Sequence, residues 1–119
     1  MKIGGKILVI DDNAGARELL REILESKGYV VFEAGDGEEA LQVMATTLVH
    51  LAIVDLDMPR MNGIDFSKAA KTQYPGIPII MVTAYSQFYS PGEILASGVD
   101  AFLQKPIDLA RLLKAIEQL

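Results

Sequence analysis

Residues 51–63 read LAIVDLDMPRMNG, and this stretch decides the fold. Its first four residues are apolar without alternation and are closed by Asp55, which is the pattern of a short strand buried on both faces of a sheet. Pro59 fixes its own φ and restricts Met58, so the chain leaves the strand and turns; Gly63 then permits entry into a helical pattern over residues 64–70. An earlier stretch, KILVIDDN at residues 6–13, has the same form: an apolar run closed by Asp11 and Asp12. If the two runs are neighbouring parallel strands, three carboxylates converge at one edge of the sheet. Carboxylates gathered in one pocket repel, so this grouping asks for a divalent cation.

Working outward, strand patterns cover residues 6–10, 30–32, 51–54, 79–82 and 101–103. Helical patterns alternate with them. Ala16, Leu19, Leu20, Ile23 and Leu24 form one apolar stripe, and Ala40, Leu41 and Met44 continue another. Asp36 with Glu39 offers a capping box for the second helix, and Ser90-Pro91-Gly92-Glu93 offers one for a short fourth helix with Pro91 at its first position. Asp108 caps a final helix whose apolar face is Leu109, Leu112, Leu113, Ile116 and Leu119. Strands alternating with helices predict right-handed crossovers and a mostly parallel sheet covered on both sides. Ligands of such sheets lie beyond the carboxyl ends of the strands, which is where Asp11, Asp12, Asp55, Thr83 and Lys105 fall.

Composition narrows the function classes. With 119 residues, half of them hydrophobic, the chain builds one core, so a single domain over 1–119 without an effector domain is expected. The net charge of -5 and the lack of a Lys/Arg cluster argue against direct nucleic-acid binding. Cysteine is absent, which excludes thiol chemistry. No segment reads as a membrane span or a signal peptide, so a soluble, cytoplasmic location without membrane contact is the expectation.

Each site residue has an ordinary explanation when taken alone. Asp11 or Asp12 suits a helix cap, Asp55 a loop, Thr83 a strand edge and Lys105 a solvated surface. One acid suffices for a cap, however, and a second beside an apolar strand is costly without a cation. Thr83 and Lys105 add a hydroxyl donor and an ammonium, two groups suited to phosphoryl oxygens on Asp55.

Four ordered motifs, VIDDN at 9–13, VDLDMPRMNG at 54–63, VTA at 82–84 and FLQKP at 102–106, make the chain resemble the receiver domain of two-component response regulators. The resemblance covers nearly the whole chain. It implies an α/β fold: a five-stranded parallel sheet in order 2-1-3-4-5, doubly wound as a flavodoxin-like three-layer sandwich. It implies that Asp55 is the phosphoacceptor, supplied by a phosphohistidine on a sensor histidine kinase or histidine phosphotransfer protein, with Mg²⁺ as cofactor. Carried over, Asp12 ligates Mg²⁺ directly and Asp11 mainly through water, while Asp55 and the backbone carbonyl of Asp57 complete the protein ligands. Lys105 and Thr83 read the phosphoryl oxygens, the Lys105–Pro106 peptide matches a position that is often cis, and Thr83 with Phe102 forms the switch toward an output protein or domain. Such a chain is catalyst and substrate of its own phosphorylation and dephosphorylation rather than a conventional turnover enzyme. Phe102 lacks the phenolic hydroxyl of the common tyrosine alternative, so its contribution is packing.

The sequence departs from the family pattern after Thr83, where Tyr85, Phe88 and Tyr89 form an aromatic segment suited either to a partner surface or to packing the loop. Tyr85 and Asp57 match the variable positions bordering the phosphoryl group, which gives Tyr85 a candidate shielding role. Three other readings stay open. One is a receiver-like interaction module that works without phosphate. The second is a flavodoxin-like cofactor binder, for which Asp11-Asp12-Asn13 is a poor phosphate cradle. The third is a haloacid-dehalogenase-like phosphotransferase using Asp55-Leu56-Asp57, although that family carries its DxD on the first core strand.

Overall fold

The computed structural model describes residues 1–84 and 89–119. Among the described residues five strands alternate with five helices: β1 Lys6–Ile10, α1 Ala14–Ser26, β2 Val30–Ala34, α2 Gly37–Thr46, β3 Leu51–Asp55, α3 Gly63–Gln73, β4 Ile79–Thr83, α4 Pro91–Ala96, β5 Ala101–Gln104 and α5 Leu109–Glu117. The strands form one parallel sheet in the order β2-β1-β3-β4-β5, a doubly wound α/β sandwich of flavodoxin-like order. Among the described residues no helix is long and apolar enough to cross a membrane.

Side chains alternate across the sheet, and each face has its own core. Ile7 and Val9 of β1, Leu51 and Ile53 of β3, and Ile80 and Val82 of β4 pack with Leu20 and Leu24 of α1 and Leu112 and Ile116 of α5. On the opposite face Leu8, Ile10, Ala52, Val54, Ile79 and Met81 meet Ala40, Met44, Ile64, Phe66 and Ile94 from α2, α3 and α4. This explains why residues 51–54 and 79–82 show no alternation: both strands are interior and covered twice.

Every helix starts at a side-chain cap. Asn13, Asp36, Asn62, Ser90 and Asp108 accept from the backbone N–H three residues on, each bond contributing on the order of 1 kcal/mol. At α2 the box closes one residue early, because Glu39 accepts from the N–H of Gly35 at 3.0 Å. Pro91 occupies the first turn of α4 as expected.

Four strands run further than their apolar residues indicate, β5 by one residue to Gln104. β2 continues through Glu33 and Ala34, which pair with Val9 and Ile10, because the Glu33 carboxylate finds arginines on α1. β3 and β4 end on Asp55 and Thr83 themselves, and the ladder extends to Leu56, whose N–H donates to the carbonyl of Val82 at 2.9 Å. The α1 stripe is wider than its buried part: Leu20 and Leu24 are covered, whereas Leu19 is 60% exposed.

Candidate functional site

β1 lies between β2 and β3, so the chain reverses direction across the sheet at β1 and opens a crevice beyond the carboxyl ends of β1 and β3. Asp11 and Asp12 follow the last residue of β1, and Asp55 is the last residue of β3. One ligand oxygen from each of the three carboxylates lies within 4.8 Å of the others. Asp11 and Asp55 are buried and Asp12 is exposed, giving the crevice an open side.

Backbone geometry holds these acids in place. Asp11 Oδ1 accepts from the N–H of Asn13 at 2.9 Å, and Asn13 in turn caps α1. Asp55 Oδ1 accepts from the N–H of Asp57 at 3.2 Å, while the Asp57 side chain is exposed. Gly63 is required directly behind Asp55. A Cβ there would sit 2.8 Å from the Asp55 carbonyl oxygen and 2.9 Å from Leu56 Cα, so only glycine lets α3 begin this close to the strand end.

Lys105 enters from the end of β5. Its N–H donates to the Thr83 carbonyl at 2.7 Å, and the Lys105–Pro106 peptide is cis. The ammonium lies 3.3 Å from Asp55 Oδ2 and 3.5 Å from Asp11 Oδ2. Burial pushes the Asp55 carboxyl up from its ordinary range, and nearby Asp11 adds to this, while Lys105 and the Asp57 N–H pull it back without cancelling it. Burial pulls Lys105 down, but Asp55 and Asp11 outweigh it and hold the ammonium above its ordinary value.

The arrangement fits a divalent cation of the Mg²⁺ kind. Its donors are hard carboxylate oxygens, the cluster carries three negative charges, and one lysine ammonium already occupies the position of a counter-ion between two of them.

The crevice therefore brings together Asp11, Asp12, Asp55 and Lys105, with Asp57 and Thr83 at its margins. The Thr83 side chain is buried and its hydroxyl donates to the carbonyl of Ala84. Phe102 is half-buried on β5, opposite Met81, and packs on the core shared by α2, α3 and α4. Tyr89 packs on the same core and its hydroxyl accepts from Asn62 Nδ2 at 3.2 Å, so its described contacts are internal. Tyr85 and Phe88 lie outside the described residues. Sequence reasoning passed over Arg17, whose Nη1 donates to the Asp11 carbonyl at 2.6 Å. The available signal was an arginine in the second turn of the helix that starts at the acid pair.

Residues 7–117 match the family model described as the response regulator receiver domain. Sporulation initiation phosphotransferase F of Bacillus subtilis is 32% identical over 113 residues, covering 95% of this chain and 91% of that protein. The transcriptional regulatory protein ZraR of Klebsiella oxytoca is 37% identical over 106 residues, covering 89% of this chain. The match spans only 24% of ZraR, about a quarter of its length. Among solved structures, response regulator protein TrrA of Thermotoga maritima in complex with Mg²⁺-BeF superimposes with a TM-score of 0.86 at 32% identity, covering 96% of this chain and 97% of that one.

Proposed function

The chain belongs to the response regulator receiver domain family, and on that premise we propose that Asp55 accepts a phosphoryl group from a phosphohistidine in a two-component phosphorelay. One observation carries the reading: the buried Asp55 carboxylate shares its crevice with Asp11 and Asp12 and faces the Lys105 ammonium at 3.3 Å. That is a nucleophile beside a cation site and a fixed positive charge. A mere docking module has no need to hold three carboxylates together against their repulsion.

In this reading Asp12, Asp11, Asp55 and the Asp57 carbonyl hold Mg²⁺, which when bound screens the charge shared by the nucleophile and the incoming phosphoryl oxygens. A carboxylate oxygen of Asp55 attacks phosphorus in line as the P–N bond of the donor breaks, and the imidazole nitrogen keeps the electron pair. Lys105 pairs with a phosphoryl oxygen. The Thr83 hydroxyl turns from the Ala84 carbonyl to donate to another, and Phe102 repacks on β5 to alter the output face. Water attacking the aspartyl phosphate reverses the modification, so the chain catalyses its own phosphorylation and dephosphorylation.

The donor is a sensor histidine kinase or a histidine phosphotransfer protein. An apolar groove lined by Ala16, Leu19, Ile23, Ile107 and Leu109 runs up to Lys105 and Asp11, which suits the flank of a helix carrying the phosphohistidine. The same reading makes residues 1–119 one receiver unit, places it in the cytoplasm and gives it output through protein contact rather than through nucleic acid.

The deciding experiment is labelling by a phosphohistidine donor with and without Mg²⁺, followed by mapping of the acceptor. Label should appear only with Mg²⁺ and disappear in Asp55→Asn. Undiminished label in Asp55→Asn, mapped elsewhere, overturns the assignment. A folded, Mg²⁺-binding protein that no donor or small phosphoramidate labels favours the phosphate-independent interaction module instead.

A further inference from the structure

The Asp12 side chain makes no hydrogen bond or ion pair among the described residues, so its direction depends on the backbone that carries it. That backbone is anchored twice to β2. The N–H of Asp11 donates to the Ala34 carbonyl at 3.1 Å. The carbonyl of Asp11, which belongs to the peptide leading into Asp12, accepts from Arg17 Nη1 at 2.6 Å. Arg17 Nε in turn donates to Glu33 Oε1 at 3.2 Å, and Glu33 stands on β2 opposite Val9.

We propose that Arg17 is a positioning residue for the cation site: clamped to Glu33, its guanidinium fixes the Asp11–Asp12 peptide and thereby aims the Asp12 carboxylate into the crevice. The inference rests on the metal-binding reading of Asp11, Asp12 and Asp55. The Arg17 side chain is 19% exposed and that of Glu33 is 24% exposed, so water competes for these bonds less than at an open surface ion pair. Glu33 Oε2 is held by Arg21 Nη1 at 2.9 Å, and this bond, joined by those from Arg17 and only partly opposed by burial, keeps the carboxyl below its usual range. The anchor is therefore an ionised acid gripped from two sides.

The function needs arginine. A planar fork presents Nε to Glu33 and Nη1 to a backbone carbonyl at once, whereas a lysine ammonium on a flexible stem is a single point charge that does not hold both at fixed geometry. Two effects of Arg17 on a bound cation oppose each other. Its positive charge repels the cation, but Glu33 at 3.2 Å largely offsets that field. Its hydrogen bond orders a ligand-bearing peptide, and losing such supporting contacts typically weakens metal affinity about 10- to 100-fold. Positioning wins.

The test is Mg²⁺ titration of the whole chain by calorimetry or by amide shifts around residues 11–13. Wild type, Arg17→Lys, Arg17→Ala, Glu33→Gln and Arg21→Ala are compared, with circular dichroism reporting the fold. Arg17→Lys, which keeps the charge, and Arg17→Ala should both bind Mg²⁺ about tenfold more weakly. Glu33→Gln leaves Arg17 and the three acids in place and should also weaken binding, which keeps the proposal testable if the Arg17 variants do not fold. Arg21→Ala loses a contact to the same Glu33 but none to Asp11, so its affinity should stay within about twofold of wild type whatever its melting temperature does. Folded Arg17→Lys binding within about twofold of wild type, or Arg17→Ala binding more tightly, overturns the positioning role. A wild type that shows no Mg²⁺ binding overturns the metal reading itself, and the two failures are distinguishable.

Discussion

Replacing Asp55 by asparagine should stabilise the fold in the absence of a divalent cation, although it removes the proposed nucleophile. The sign follows from the crevice geometry. At an effective dielectric constant of about 20, the Asp11 oxygen within 4.8 Å of Asp55 repels it by about 3.5 kcal/mol, and the exposed, better-screened Asp12 repels it by roughly half of that. Lys105 at 3.3 Å attracts it by about 5 kcal/mol on the same scale. The pairwise effects nearly cancel, so desolvation decides. The Asp55 residue is 6% exposed, and burying a carboxylate costs several kcal/mol, of which one charged hydrogen bond from Asp57 returns about 1.5–3 kcal/mol.

Asparagine keeps an acceptor for the Asp57 N–H and sheds the charge, for a net gain of about 1–2 kcal/mol, or a melting temperature about 5 °C higher for a domain of this size. Because the folded-state pKa of Asp55 is raised above the ordinary 3.8, its ionisation costs stability as pH rises through that raised value. The advantage of Asp55→Asn should therefore be full at neutral pH and close once pH falls below about 4, where the wild-type carboxyl is protonated in both states. Mg²⁺ at about ten times its Kd adds about 1.4 kcal/mol to the wild type and less to the variant, so the gap narrows on titration. Thermal and urea unfolding in chelator, repeated across pH and with Mg²⁺, measure all three. A metal-free Asp55→Asn less stable than wild type at neutral pH, or an advantage that persists unchanged into acid, refutes the electrostatic account.

Lys105→Met should destabilise the metal-free protein at neutral pH, because the ammonium is the counter-ion of Asp55 and Asp11. Lys105 is held above its ordinary 10.5, so its contribution is complete below that pH and disappears as pH rises through the raised value; a wild-type-to-variant difference that does not shrink there contradicts the pairing. Gly63→Ala should cost about 1–3 kcal/mol and disturb amide signals of residues 55–57, since the added Cβ meets the Asp55 carbonyl oxygen and Leu56 Cα. Gly37→Ala meets Met61 Sδ at 2.7 Å, Cγ at 2.8 Å and Cβ at 3.0 Å; the sulfur can swing away but the Cβ moves only with the backbone, so urea unfolding should show a loss of about 1–3 kcal/mol.

The sheet order and the crevice were legible because two apolar runs end on acids and the fold brings strand ends together. What stayed hidden depends on a neighbour in space. Glu33 reads as the end of a strand because it is charged; only the approach of Arg17 and Arg21 from α1 makes it a strand residue. Helical periodicity placed Ala16 and Leu19 with Leu20 and Leu24, but periodicity reports which residues share a side of a helix and not how far the sheet extends beneath it. The α1 stripe therefore overhangs the core and becomes one wall of the groove beside Lys105. Thr83 was identifiable from its place at the end of the fourth apolar run, whereas its hydroxyl's choice of the Ala84 carbonyl follows from a local rotamer that no pattern encodes.

These hidden elements share a cause. A buried carboxylate cluster violates the preference for apolar or paired interiors, and a fold tolerates such a violation only where surrounding contacts over-determine it. Lys105 supplies the opposing charge, Gly63 lets α3 close behind Asp55, and Arg17 with Glu33 anchors the peptide from which Asp12 projects. The acids announce the site because they are chemically costly where they stand. The residues that make them tolerable look ordinary in sequence, as each acts through a backbone atom or a partner on another element. Disturbing Asp55 should therefore raise stability, while disturbing its supports should lower stability or cation affinity, and that opposition separates a site built to hold charge from an incidental cluster of surface acids.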